Sequence, residues 1–171
     1  MRHILGHLRN VGIALLLAPL VAFANGLPTP TGEVLLSIDG AITVTNDGDR
    51  AIFDRDMLAA LGPVTVETTT VWTEGVQTFT GVPLARLMAA VGATGDSLTA
   101  RAINDYAISI PSEDWIEGGP IVAYLNNGAA MPLREKGPLW IIYPYDSEPR
   151  FQTEVIFSRS IWQLDRLTVD N

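Results

Sequence analysis

Residues 97–102, Ser97-Leu98-Thr99-Ala100-Arg101-Ala102, and residues 106–110, Tyr106-Ala107-Ile108-Ser109-Ile110, place apolar and polar side chains in alternation. A period of two belongs to a strand with one buried face, not to a helix. The same reading extends outward. Downstream, residues 121–125, 139–143, 155–161 and 164–169 alternate or run apolar at strand length, and Asn127-Gly128 marks a tight turn. Upstream, residues 64–71 are rich in β-branched side chains and predict a strand running directly into Trp72, while residues 34–39 and 41–45 predict a hairpin before the turn Asn46-Asp47-Gly48. Two segments read as helix. Residues 54–61 open on the capping carboxylate of Asp54 and stop at Gly62-Pro63. Residues 81–92 carry Pro83 near the start, a stripe of Leu84, Leu87, Met88 and Val91, and Gly92 at the end. Strands outnumber helices more than two to one without βαβ alternation, so the predicted class is α+β, mainly β, in a single domain.

The first 24 residues read as a secretory signal peptide: Arg2 and Arg9, an apolar run over 11–21, and Ala22-Phe23-Ala24 as a small-x-small cleavage site. The run is well short of the roughly 20 residues a membrane span needs. The expected organisation is therefore a leader over 1–24, an extended arm over 25–33 and one domain over 34–171, exported to the periplasm. Loss of Arg2 and Arg9 would take the formal charge from −8 to −10, which argues against nucleic acid and anionic lipid as partners.

The chain has no cysteine, and its two histidines, His3 and His7, fall in the leader. Ser-His-Asp and Cys-His nucleophile pairs, thiolate chemistry, ordinary zinc sites and disulfides are thereby excluded from the mature chain. The stretch Asn46-Asp47-Gly48-Asp49 lacks the later bidentate glutamate of a calcium loop and reads as a turn. No metal ligands and no catalytic residues are expected.

Unusual polar and aromatic residues collect at strand ends, where sites tend to form: Trp72-Thr73-Glu74, Asn104-Asp105-Tyr106, Arg134-Glu135-Lys136, Tyr143-Pro144-Tyr145-Asp146 and Arg159-Ser160-Ile161-Trp162. Trp72 among turn-forming neighbours suits stacking on a flat ligand as well as it suits a core. Asp105 suits acceptance of paired N–H groups, and pairing with Glu74 for acid–base work has no support in the spacing. Lys136 is the only lysine. Arg159, beside Ile156, Phe157 and Ile161, needs a partner such as Asp105 or a ligand anion.

Five motifs in order carry a resemblance: Phe79-Thr80-Gly81-Val82-Pro83-Leu84, Asn104-Asp105-Tyr106-Ala107-Ile108-Ser109-Ile110-Pro111, Ala123-Tyr124-Leu125-Asn126-Asn127-Gly128, Gly137-Pro138-Leu139-Trp140-Ile141-Ile142-Tyr143-Pro144, and Arg159 with residues 164–169. Over residues 34–169 the chain resembles the molybdopterin-binding domain of the sulfite oxidase family. The resemblance implies that fold, an active-site tyrosine at Tyr106 and a basic residue near the cofactor at Arg159. It also implies a metal-binding cysteine within 68–72, where this chain has none, and basic residues where Trp140 and Trp162 stand. The chain is similar, further, to short, exported, cysteine-free proteins linked to periplasmic binding of reduced pterins, with the signal passed to a membrane sensor bearing a cyclic-di-GMP output domain. What this implies is a non-catalytic pterin-binding protein whose ligand contacts are Trp72, Asn104, Asp105, Tyr106, Lys136, Tyr145 and Arg159. The alternatives are a molybdopterin-dependent oxidoreductase, and an interaction module docking a receptor through Trp140 or Trp162.

Overall fold

Two sheets enclose one hydrophobic core in the computed structural model, which describes residues 26–171; the leader expected over 1–24 lies outside the described residues. In chain order the elements are β1 (Leu36–Gly40), β2 (Ala51–Phe53), α1 (Arg55–Ala60), β3 (Val64–Thr68), β4 (Gln77–Pro83), α2 (Leu84–Ala90), β5 (Ser97–Ala102), β6 (Ala107–Pro111), β7 (Ile121–Asn126), β8 (Ala129–Ala130), β9 (Trp140–Ile142), α3 (Glu154–Arg159) and β10 (Leu164–Asp170). The mainly-β α+β class expected of the sequence is the class observed.

One sheet has the order β2-β1-β10-β5-β6, and the other runs β3-β4-β7-β8 with β9 also paired to β7. The alternation in β5 works as read: Leu98, Ala100 and Ala102 face the core, and their polar neighbours do not. β10 sits between β5, antiparallel, and β1, parallel, so the first and last strands are joined along Ser37–Gly40 and Arg166–Val169. Gly40 ends β1 at φ +88°, where a side-chain carbon would collide with the Val169 carbonyl. In the second sheet the register shifts at Gly81, packed so closely on the Val122 carbonyl that only glycine fits the irregularity.

Three local expectations are corrected. Residues 41–45 form no strand, because the Ala41 N–H donates to Val169 and the Thr43 and Val44 N–H groups both donate to the Val91 carbonyl at the end of α2; the antiparallel partner of β1 is β2. The strand expected over 64–71 stops at Thr68, and a turn carries the chain to Trp72. Residues 155–161 are mostly helical: Thr153 accepts a hydrogen bond from the Ile156 N–H at 3.3 Å, Glu154 occupies the first turn and Arg159 the last. Capping and end charges there outweigh the strand preference of Val155, Ile156 and Phe157.

Candidate functional site

The turn after β3 is built around hydroxyls and one carboxylate. The Thr69 N–H and hydroxyl donate to the Asp146 carboxylate at 2.6 and 2.8 Å, and the Asp146 N–H donates to the Thr68 hydroxyl at 3.1 Å. These Thr69 bonds hold the Asp146 carboxyl below the usual aspartate range. Thr70 then accepts from the Trp72 N–H at 3.1 Å and shares a 2.7 Å hydrogen bond with Thr73. The segment is thus pinned on both sides of Trp72.

Trp72 lies at the centre of an aromatic cluster. Its ring meets Trp162 at 5.7 Å, Trp140 at 5.8 Å, Phe157 at 6.0 Å and Tyr145 at 6.3 Å, all edge-on. Such T-shaped contacts are favoured by the ring quadrupoles. Trp140 is fully buried, its indole N–H donating to the Ser160 carbonyl at 3.0 Å, so it belongs to the core and offers no surface for docking.

Beside this cluster opens a cavity of about 370 Å³ lined by Trp72, Ala102, Asn104, Tyr106, Phe157, Ser158, Ser160, Ile161, Trp162 and Gln163. Four segments meet there: the turn after β3, the β5–β6 connection, α3 and the lead into β10. Asn104 is fixed by accepting from the Tyr106 N–H at 3.1 Å, and Tyr106 is half exposed at 52%. An aromatic ring left so open on a polar turn is available to a ligand.

The seven residues expected in the site separate into groups. Trp72, Asn104 and Tyr106 line the cavity together. Lys136 does not line this cavity but lies over Trp162, its Nζ 4.1 Å from that ring's centre and 5.2 Å from the centre of Trp140. Tyr145 is buried, its hydroxyl donating to Ser160 at 2.7 Å, and desolvation pushes its pKa up to about 12. It supports Trp72 without lining the cavity.

Asp105 and Arg159 turn elsewhere. Asp105 adopts φ +65° and pairs with Arg166 at 2.7 Å, on the exposed side of its turn. Arg159 pairs with Asp114 at 2.9 Å, and the Tyr143 hydroxyl donates to the same Asp114 oxygen at 2.7 Å. The carboxylate partner of Arg159 is therefore Asp114 and not Asp105. Burial, aided by the Asp114 carboxylate, raises the Tyr143 pKa beyond any physiological titration.

Sequence reasoning did not place Phe157, Ser158 and Gln163 in the site, and it reached Ser160 and Ile161 only as members of the Arg159–Trp162 cluster, without assigning them a ligand contact. The cap Thr153 followed by Glu154 is the signal that would have turned 155–161 into a helix and brought its residues to the cavity.

No protein-family model matches the chain, and no curated protein matches it. Among solved structures it is similar to the sulfane dehydrogenase SoxCD from Paracoccus pantotrophus, with a TM-score of 0.57 and 19% identity over 78% of this chain and 37% of that one. The chain thus spans well under half the length of that neighbour. The likeness establishes a distant relationship of fold, the sulfite-oxidase type.

That fold raises the question of a molybdenum cofactor. The segment 68–72, where the resemblance implies a metal-binding cysteine, offers threonines, Val71 and the Trp72 indole, and Trp140 and Trp162 pack against that indole. Among the described residues no group of three His, Cys, Asp or Glu side chains is arranged to hold a metal ion. The residues present do not fit a molybdenum centre held by the protein.

Proposed function

We propose that this chain is a periplasmic, non-catalytic receptor for a planar nitrogen heterocycle of the reduced-pterin type, and that occupancy rather than turnover is its output. A membrane sensor with a cyclic-di-GMP output domain is the proposed reader of that occupancy. One observation carries the binding function: Trp72, Asn104, Tyr106 and Trp162, drawn from three separate parts of the chain, line a single cavity of about 370 Å³. That volume lies in the range of small-molecule sites, and the lining combines apolar rings with a few polar groups, as such sites do. The rings supply stacking surface, while Asn104, Ser158 and Gln163 offer donors and acceptors to the polar edge of a heterocycle. Asp105 pairs with Arg166 and is not among the lining residues, so the neutral amides are the proposed ring acceptors.

Titration of the purified protein with a tetrahydropterin, followed by tryptophan fluorescence, tests this reading. Quenching with micromolar affinity is expected, and Trp72→Ala should weaken it roughly five- to tenfold, since loss of one stacking ring is worth about 1–1.5 kcal/mol. Failure to bind below about millimolar concentration contradicts the proposal.

A further inference from the structure

Trp72 borders a second cavity, of about 390 Å³, shared with Asn126, Glu135, Lys136 and Trp140 among others. Two features of its walls are not explained by the fold. Lys136, the only lysine of the chain, lies over two indole rings, and among the described residues no carboxylate stands within ion-pair distance of it. Its main chain is fixed, with the Lys136 carbonyl accepting from the Gln163 N–H at 3.1 Å. Partial burial draws the ammonium below the ordinary lysine range, the direction expected of a cation kept from water without a counter-charge. The second feature is Asn126, at the end of β7, whose side-chain oxygen is buried with no hydrogen-bond partner. A buried acceptor left so is rare in folded proteins.

Lys136 and Asn126 both line this cavity, and a cation beside a residue whose acceptor is unpaired suits a group that carries an anion and an N–H donor together. We infer that this cavity is a second compartment of the heterocycle site and takes an amide-linked carboxylate, the amide N–H donating to Asn126 and the carboxylate meeting Lys136. The inference rests on the ring binding proposed above, with Trp72 bordering both compartments. A phosphate ester would satisfy Lys136 but bring no N–H to Asn126. Glu135, on the same wall, is not paired with Lys136, and its charge opposes an anion there.

The experiment compares three reduced pterins on the purified full chain by tryptophan fluorescence: one with a neutral polyol side chain, one with a phosphorylated polyol, and tetrahydrofolate, whose side chain ends in an amide-linked glutamate. Tetrahydrofolate should bind about tenfold tighter than the neutral polyol, as a desolvated charge-assisted contact allows. That ratio should collapse towards one in Lys136→Met, persist in Lys136→Arg and widen in Glu135→Gln. Equal affinity for the polyol and tetrahydrofolate overturns the second compartment while leaving the ring site standing, a comparison that depends on no variant folding. A phosphorylated polyol matching tetrahydrofolate overturns the amide assignment. No binding by any of the three overturns the ring site itself, and this inference with it.

Discussion

Asp146 shows how one exposed carboxylate can govern an aromatic residue it does not touch. The two bonds it accepts from Thr69, with one from the Asp146 backbone N–H to the Thr68 hydroxyl, fix the turn that carries Trp72. Asp146→Ala should therefore lower stability by about 1 kcal/mol, the net worth of such bonds at an exposed site. It should also shift the tryptophan emission and weaken ligand binding, with Asp146→Asn recovering part of each. The carboxyl's pKa is depressed in the folded state, so its contribution is complete above the unfolded value of about 3.9 and fades as pH falls through the folded one. Emission should be flat between about pH 5 and 8 and change only in the acid limb, and Asp146→Asn should lack that acid step. An identical acid profile in the two proteins would remove Asp146 from this role. At this scale much of the cavity is legible beforehand: Trp72, Asn104 and Tyr106 are large or polar residues at strand ends, and they do meet. What was not legible is direction. Asp105 and Tyr106 are neighbours, but the positive φ of Asp105 sends its carboxylate to Arg166, a partner 61 residues away that no local pattern announces.

The short elements depend on their caps. α1 spans only six residues, too few to be stable alone, and Asp54 supports it by accepting from the Met57 N–H at 2.9 Å. The other carboxylate oxygen accepts from Thr31 and Gly32 at 2.8 and 2.9 Å, so one buried side chain also fastens the N-terminal arm to the helix. Asp54→Ala should cost about 2 kcal/mol, the sum of a lost cap and stranded N–H groups, and lower the melting temperature by about 5 °C in calorimetry. Asp54→Ser, which keeps the cap but does not reach the arm, should recover about half of that. A full-strength Asp54→Ala would mean that the arm and helix are held by packing alone. The cap of α1 is plain in the sequence because Gly62-Pro63 closes the segment. α3 has an equally good cap in Thr153 but lies in a β-branched run, and the wrong period is read there. Residues 41–45 mislead for another reason: their backbone partners, Val91 and Val169, are distant in sequence.

For the whole molecule, the two sheets share one core, and the strands that unite them are far apart along the chain. β1 pairs with β10, and β4 with β7, so neither sheet is complete until late segments return to early ones. Class could be read from periodicity, whereas strand order could not, because pairing across such distances leaves no local signal. The aromatic cluster ties the second sheet to the first: Trp140 lies in β9, and its bridge partner Trp162 leads directly into β10. Three of the four tryptophans lie in this cluster, so tryptophan fluorescence is weighted towards the join between sheets, while far-UV circular dichroism reports both sheets together. A domain of this size with one core should unfold as a single cooperative unit. In urea the two signals should trace one transition with a common midpoint. If the fluorescence change came at lower urea than the loss of dichroism, the aromatic cluster would be opening as an independent unit. The cavity beside Trp72 would then be a locally unfolding region rather than a rigid receptor, and the preorganised stacking surface required for tight binding of a flat ligand would be lost.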